Sequence, residues 1–394
     1  MEVGMGGRLD ATNVIPDTSI LVSAVTAVDL DHQAFLGGSV DAIAREKAGI
    51  SRKGRPLVLG PQKHQEVLGE VEKVVAESRG ELIFAHPAVP RTWDESVDGP
   101  LPNAVPLGSA SFQGPSPQPV EIPMPCFSAP LRALLPLPGE HQLVNMGLAC
   151  EVISTILTHP SCNDTRTNLR LSERVTVASI IKGIRSTVWP GRLSFHTISL
   201  PDPLLETPRE LTVLVDGAHN PSSSATLSSY VSDMLLSIEK RGPQHPTSRP
   251  RIISITFILA LSHSPPKTPL QTLQPLFPLR FTPSESTRVK LRVALLRFTP
   301  PEGMPWVTSE SPSILAGVVS SLLGNADADD IWCAPENAVP GLGLAHLKDA
   351  LQWAAAKQDE DLVSEEGEGF VVLAGSLYLV ADLYRLMRED LGRS

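Results

Sequence analysis

The chain has 394 residues, of which 42% are apolar and 19% charged, enough for a large core and for two domains. Its net charge of −10 repels phosphate backbones, which excludes a general nucleic-acid-binding role. The four cysteines, Cys126, Cys150, Cys162 and Cys333, show no C-x-x-C spacing, so neither a disulfide framework nor a structural zinc site is expected. No apolar run reaches membrane-spanning length, and no basic, apolar leader precedes Glu2. The expectation is a monomer without membrane association, in the cytoplasm, with mitochondria as the alternative.

The first thirteen residues, "MEVGMGGRLDATN", concentrate Glu2, Gly4, Gly6, Gly7, Arg8, Asp10 and Asn13. A dinucleotide fingerprint would need glycine where Leu9 stands. Adjacent glycines let backbone N–H groups approach a ligand closely. Arg8 can clamp an anion or stack on a flat ring. Glu2 can bind a hard cation such as Mg²⁺. On spacing alone, an ordinary Gly-rich turn explains the same residues.

Residues 19–28, "SILVSAVTAV", read as a buried strand. "SVDAIAREKAGI" has helical spacing with Gly49 as its stop. "RPLVLG" reads as a strand, "QEVLGEVEKVVAES" as a helix striped by Val67, Val71, Val74 and Val75, and "ELIFA" as a strand. This β-α-β-α-β order predicts a parallel sheet with helices on its faces. Residues 87–130 are crowded with Pro, Gly and Ser and predict irregular loops or short edge strands. "GEHQLVNMGLACEVISTIL" predicts a helix, residues 159–170 a loop, and "SERVTVASIIKGIRS" a further helix.

Strands and helices then alternate from "ELTVLV" to "SLYLVADLYRLMRE", which predicts a doubly wound α/β domain. Asn220 suits a helix N-cap and Pro221 the first helical position.

"EVGMGGRLDATN" resembles the motif of the folate-type Mur ligases, the dihydrofolate synthases and folylpolyglutamate synthases. "DHQAFLGG" with "IAREKAGI", "LPGEHQLVN", "WPGRL", "LVDGAHNPSS" and "AGSLYLVADL" resemble further family blocks, in the family's order. The resemblance implies an α/β fold: a P-loop-type Mur ligase central ATPase domain over 1–187, with a Pro-rich insertion near 87–130. A doubly wound, Rossmann-like C-terminal domain would occupy 188–394.

The family joins a carboxylate to the amine of glutamate with ATP, through an acyl phosphate. The resemblance implies metal ligands at Glu2, His32 and Lys47, the last as a carbamate made from CO₂, holding Mg²⁺ near the phosphates. Each residue also has a plainer reading, such as a surface histidine at His32 or a solvated helix-end lysine at Lys47. Asn145 would contact the adenine side of ATP, with His141 on the same helix face. Arg192 and Asp216 would meet ATP, with His219 nearby. Arg8 and Asp10 would contact the pterin-bearing substrate.

"GGRLDATN" and "PEGMPWV" look most like fungal dihydrofolate synthases, which implies dihydropteroate as acceptor, with L-glutamate and ATP as co-substrates. A reduced folate, as in folylpolyglutamate synthases, is the alternative acceptor. A cell-wall Mur ligase is disfavoured by the folate-type opening and "DGAHNPSS" blocks. The family's P-loop needs a Gly-Lys pair, and none occurs in these residues. The expectation is therefore a chain that begins inside the ATPase domain, and a non-catalytic remnant stands as a further alternative. "SHSPPKTP" also departs from the Asp-Lys-Asp-like loop of many relatives.

Overall fold

The computed structural model describes residues 10–30, 36–102, 105, 107, 112, 114–201, 208–240, 251–277, 279–324, 328–336, 342–362 and 367–391. Cα packing divides them into two units: Met1–Pro102 with Ser116–Val188, and Asn103–Pro115 with Trp189–Ser394. Parallel sheets and helices make both an α/β architecture, as the alternating pattern predicts.

In the first unit, β1 (Ser23–Val25), β2 (Pro56–Leu59) and β3 (Glu81–Phe84) form a parallel sheet in that order. Two helices, α1 (Val40–Ala48) and α2 (Gln65–Ser78), connect them. Leu57 and Leu59 pack with Ile43, Ala44, Val67, Val71 and Val75 on one face. Val58 points the other way, to Ala85 and Leu148. Helices cover both faces, which is why β2 is an unbroken apolar run. The strand read over 19–28 is shorter than expected. Its first residues close a 3-10 turn, Asp17–Ser19, with the Ser19 N–H on the Pro16 carbonyl at 2.9 Å, and so take no part in strand pairing.

Of the two readings of the Pro-rich stretch, irregular loops or short edge strands, short strands are present. β4 (Val89–Pro90), β5 (Gln118–Ile122) and β6 (Leu131–Leu135) form an antiparallel sheet. Val120 and Ile122 alternate into a core with Leu131, Ala133, Leu135 and Leu143. The partner helices are α3 (His141–Thr158) and α4 (Val177–Arg185). An ion pair fixes the intervening turn: Arg91 grips Asp98 through two hydrogen bonds of 2.7 and 2.6 Å. Trp93 Nε1 donates to the Gly99 carbonyl at 2.9 Å. The loop expected over 159–170 is instead a 3-10 turn, Pro160–Cys162, followed by a short helix, Asn163–Asn168. His159 Nδ1 accepts the Ser161 N–H at 3.2 Å and so caps that turn.

The second unit is one six-stranded sheet. Its strands are β7 (Ser194–Leu200), β8 (Arg209–Val215), β9 (Arg251–Leu259), β10 (Thr287–Leu295), β11 (Ile331–Cys333) and β12 (Gly367–Ala374). Their order is β11-β10-β9-β12-β8-β7. All neighbours are parallel except β7, which runs antiparallel to β8 and was not anticipated from sequence. α5 (Pro221–Lys240) and α6 (Pro312–Leu323) cover one face through Leu227, Val231, Leu315 and Val319. α7 (Leu342–Leu362) and α8 (Leu377–Leu391) cover the other through Leu347, Leu351, Leu379 and Leu383. Phe112 joins this unit edge-on to Phe195, with ring centroids 5.4 Å apart.

Toward the amino-terminal halves of these strands, Asp361 of α7 is buried against charge. It accepts from Arg292, from Lys290 at 2.6 Å and from Ser254 at 2.8 Å. Burial works to raise its pKa, but these partners outweigh it and hold the carboxyl below its ordinary value. The structure contains no helix, among the described residues, long and apolar enough to cross a membrane.

Gly147 in α3 meets the chain at His86, where a Cβ would sit 1.9 Å from the His86 carbonyl oxygen. Gly147→Ala should therefore cost about 2 kcal/mol or more by overpacking, read as a lower urea midpoint. Gly69→Ala in α2, where a Cβ meets nothing within 4 Å, should instead stabilise by about 0.5–1 kcal/mol. Equal effects at the two sites would refute the close-approach account.

The Arg91 guanidinium beside Asp98 holds its carboxyl down at about 2, against an ordinary 3.8. A depressed folded pKa adds stability above the ordinary value and loses it as pH falls toward the folded one. Asp98→Asn should lower Tm at pH 7 and shrink the loss between pH ~4 and ~2, followed by thermal melts across that range.

Candidate functional site

The apolar run of β8 drives the chain to its carboxyl end, where Asp216, Gly217, Ala218 and His219 emerge. Ligands of parallel α/β sheets bind at this edge. Asp216 is buried, 8% exposed, and its two oxygens are both occupied. Oδ2 accepts the Leu193 N–H at 2.9 Å, and Oδ1 accepts the Ala218 N–H at 2.8 Å. Burial raises its pKa, while these N–H groups and the nearby Arg192 charge act in the opposite sense.

The Leu193 bond ties a second segment to this edge. The Gly217 N–H donates to the Gly191 carbonyl at 2.8 Å. Arg192 thus stands between two residues whose backbones are fixed to the 216–218 turn. Its guanidinium lies over Gly217: a Cβ there would sit 2.5 Å from Nη1. A Cβ there would push aside the Arg192 guanidinium and a Leu377 methyl. Arg192 is half-buried, and no described residue accepts a hydrogen bond from its guanidinium. Arg192, Asp216 and His219 are therefore brought together.

His219 Nδ1 lies 2.7 Å from the Gly217 carbonyl. Asn220 caps α5, its Oδ1 accepting the Ser223 N–H at 2.9 Å, with Pro221 in the first turn as expected. Lys267 also reaches this edge. It comes from the divergent "SHSPPKTP" loop and donates to the His219 carbonyl at 2.7 Å.

In the first unit, His141 and Asn145 share the first turns of α3, and Gln142 links them. Its Nε2 lies 3.1 Å from His141 Nε2, and its Oε1 accepts from Asn145 Nδ2 at 3.1 Å. Gln142 itself is buried, a linking role that an i, i+4 reading passes over. Lys47 lies in the last turn of α1, half-buried, with no side-chain partner among the described residues. The Asp10 carbonyl accepts the Asn13 N–H at 2.9 Å, and Asn13 in turn receives Arg52 Nη2 at 2.6 Å. Glu2, Arg8 and His32 lie outside the described residues. Among the described residues no group of three or more His, Cys, Asp or Glu could hold a metal ion.

Residues 202–386 match a family model described as dihydrofolate synthetase, C-terminal domain. The chain is 26% identical over 393 residues to a probable dihydrofolate synthetase of Schizosaccharomyces pombe, covering 99% of this chain and 71% of that protein. It is 27% identical over 405 residues to a dihydrofolate synthetase of Saccharomyces cerevisiae, with the same coverage of 99% and 71%. Among solved structures, Mycobacterium tuberculosis folylpolyglutamate synthase complexed with ADP and AMPPCP is similar in fold, with a TM-score of 0.59 at 20% identity. That match covers 98% of this chain and 67% of the other.

Removing the Asp216 carboxylate leaves the Leu193 and Ala218 N–H groups without their acceptor. Asp216→Ala should destabilise the protein by about 1–3 kcal/mol, measured by urea unfolding. An unchanged midpoint would show that these two bonds do not hold the edge together.

Proposed function

From the premise that this chain belongs to the dihydrofolate synthase and folylpolyglutamate synthase family, we propose that it is an ATP-dependent ligase joining L-glutamate to dihydropteroate. The pterin-bearing carboxylate attacks the γ-phosphate, giving an acyl phosphate and ADP. The glutamate amine then attacks that carbonyl, and phosphate leaves. In such a reaction most catalysis is positioning and neutralisation of phosphoryl charge.

The observation that carries this reading is Arg192. It is a guanidinium without an acceptor among the described residues, at the carboxyl edge of a parallel sheet, over a glycine that leaves space. A planar fork of N–H donors suits phosphate oxygens. In this reading Arg192 and Asp216 serve ATP from the second unit, the family's C-terminal Rossmann-like domain, with His219 beside them. The first unit is its central ATPase domain. There Asn145 faces the adenine, and Arg8 and Asp10 take the pterin substrate.

Glu2, His32 and a carbamate on Lys47 would hold Mg²⁺, which when bound neutralises phosphate charge. What supports Lys47 is its half-buried place with no competing side-chain partner among the described residues. Folylpolyglutamate synthesis, with a reduced folate as acceptor, is the second reading, favoured by the fold match to a folylpolyglutamate synthase.

The test is ADP release by the purified chain with Mg·ATP and L-glutamate, and with dihydropteroate or a reduced folate as acceptor. Release dependent on dihydropteroate is the expected result. Release with reduced folate alone would move the assignment to folylpolyglutamate synthesis. Bound nucleotide without release in either case would make this a binding protein rather than a ligase.

A further inference from the structure

The last helix, α8, aligns three side chains behind Arg192. Leu377, Val380 and Tyr384 are spaced three and four residues apart, so they share one face. Leu377 Cδ2 would sit 2.3 Å from a Cβ on Gly217. Val380 Cγ1 would sit 2.7 Å from one on Gly191, whose φ is +73°. The Tyr384 hydroxyl accepts the Gly191 N–H at 3.1 Å.

That hydroxyl is the centre of a polar cluster. Ser194 Oγ accepts the same Gly191 N–H at 2.9 Å and lies 3.1 Å from Tyr384 Oη. His196 Nε2 lies 2.8 Å from Tyr384 Oη, with the rings edge-on at 5.2 Å. Burial pushes the His196 pKa below its ordinary value, which favours a neutral ring able to accept the tyrosine proton. The phenol can then donate to His196 while accepting from Gly191. Gly191 is thereby held at both ends of its peptide groups. Its N–H goes to Tyr384 and Ser194, and its carbonyl receives Gly217.

We propose that Tyr384 is a positioning residue for Arg192. Through its hydrogen bond to the Gly191 N–H, it sets where the guanidinium stands for the phosphates of ATP. The role in nucleotide binding rests on the ligase reading above, whereas the positioning of the 191–193 segment does not.

Two measurements on the full chain test this. The first is amide hydrogen exchange at Gly191 and Gly217 without ligand, in wild type and Tyr384→Phe, which keeps the ring and loses the hydroxyl. The second is Mg·ATP affinity in wild type, Tyr384→Phe, Arg192→Ala and the double variant. The single tyrosine change should speed exchange at both glycines and weaken Mg·ATP binding, each by roughly 3- to 10-fold, the effect of one net hydrogen bond. Its thermal midpoint should stay near that of wild type. In the Arg192→Ala background it should weaken binding no further, because it acts through that guanidinium.

Unchanged exchange, or a full Tyr384 effect in the absence of Arg192, overturns the proposal. A wild-type chain that binds no Mg·ATP yet shows the exchange effect overturns the ligase reading and upholds the positioning role.

Discussion

The buried carboxylate of Asp216 is the constraint on which the second unit's functional edge depends. Taking a carboxylate out of water is costly unless its lone pairs are met. Here they are met by backbone, from Leu193 on one side and Ala218 on the other. Two stretches of chain with no strand pairing of their own are thereby locked to the end of β8. The Gly191–Gly217 bond completes the junction. Glycine at both points follows from the closeness of the approach, because Val380 crowds one and Leu377 and Arg192 crowd the other.

The two ends of the same sheet treat charge differently. Toward the amino-terminal halves of the strands, buried charges meet partners. Arg292 and Lys290 converge on Asp361, and Arg251 pairs with Glu368. Breaking such a buried pair leaves an uncompensated ion, so this end is built as a fixed base. At the carboxyl edge, the chain commits Asp216 to backbone and leaves Arg192 with no acceptor among the described residues. The rigid base and its packed helices allow the opposite edge to hold such a group in place.

Much of this fold was legible in the sequence where local periodicity and burial agree. The Val67, Val71 and Val75 stripe located α2, and the apolar runs of β8, β9 and β12 located the central strands. Two features were not legible, because distant residues decide them. Loops and short edge strands were both open for the Pro-rich stretch, and β5 is settled as a strand, despite Pro119, because Val120 and Ile122 are buried by α3 and α4. β7 reads as a mixed polar run, and becomes a strand because β8 offers it an edge. At the candidate site, "WPGRL" and "LVDGAHNPSS" are the stretches that the Leu193 and Gly217 hydrogen bonds join. No spacing rule could place Gly191 against Tyr384, nearly two hundred residues away, or bring Lys267 to His219.

Arg192 differs from Arg91 and Arg292 in a way that bears on function. Arg91 is clamped to Asp98, and Arg292 to Asp361. Asp216 is near enough to Arg192 for its charge to be felt, and would be the obvious partner. Its hydrogen bonds go to the Leu193 and Ala218 N–H groups, and its charge acts on the guanidinium without a hydrogen bond between the two side chains. A cation attracted but not neutralised, at the carboxyl ends of parallel strands, is suited to an anionic ligand. Had Asp216 closed on Arg192 directly, the same two residues would be one more structural ion pair. With the carboxylate bonded to the Leu193 and Ala218 backbone and not to the guanidinium, that charge stays available.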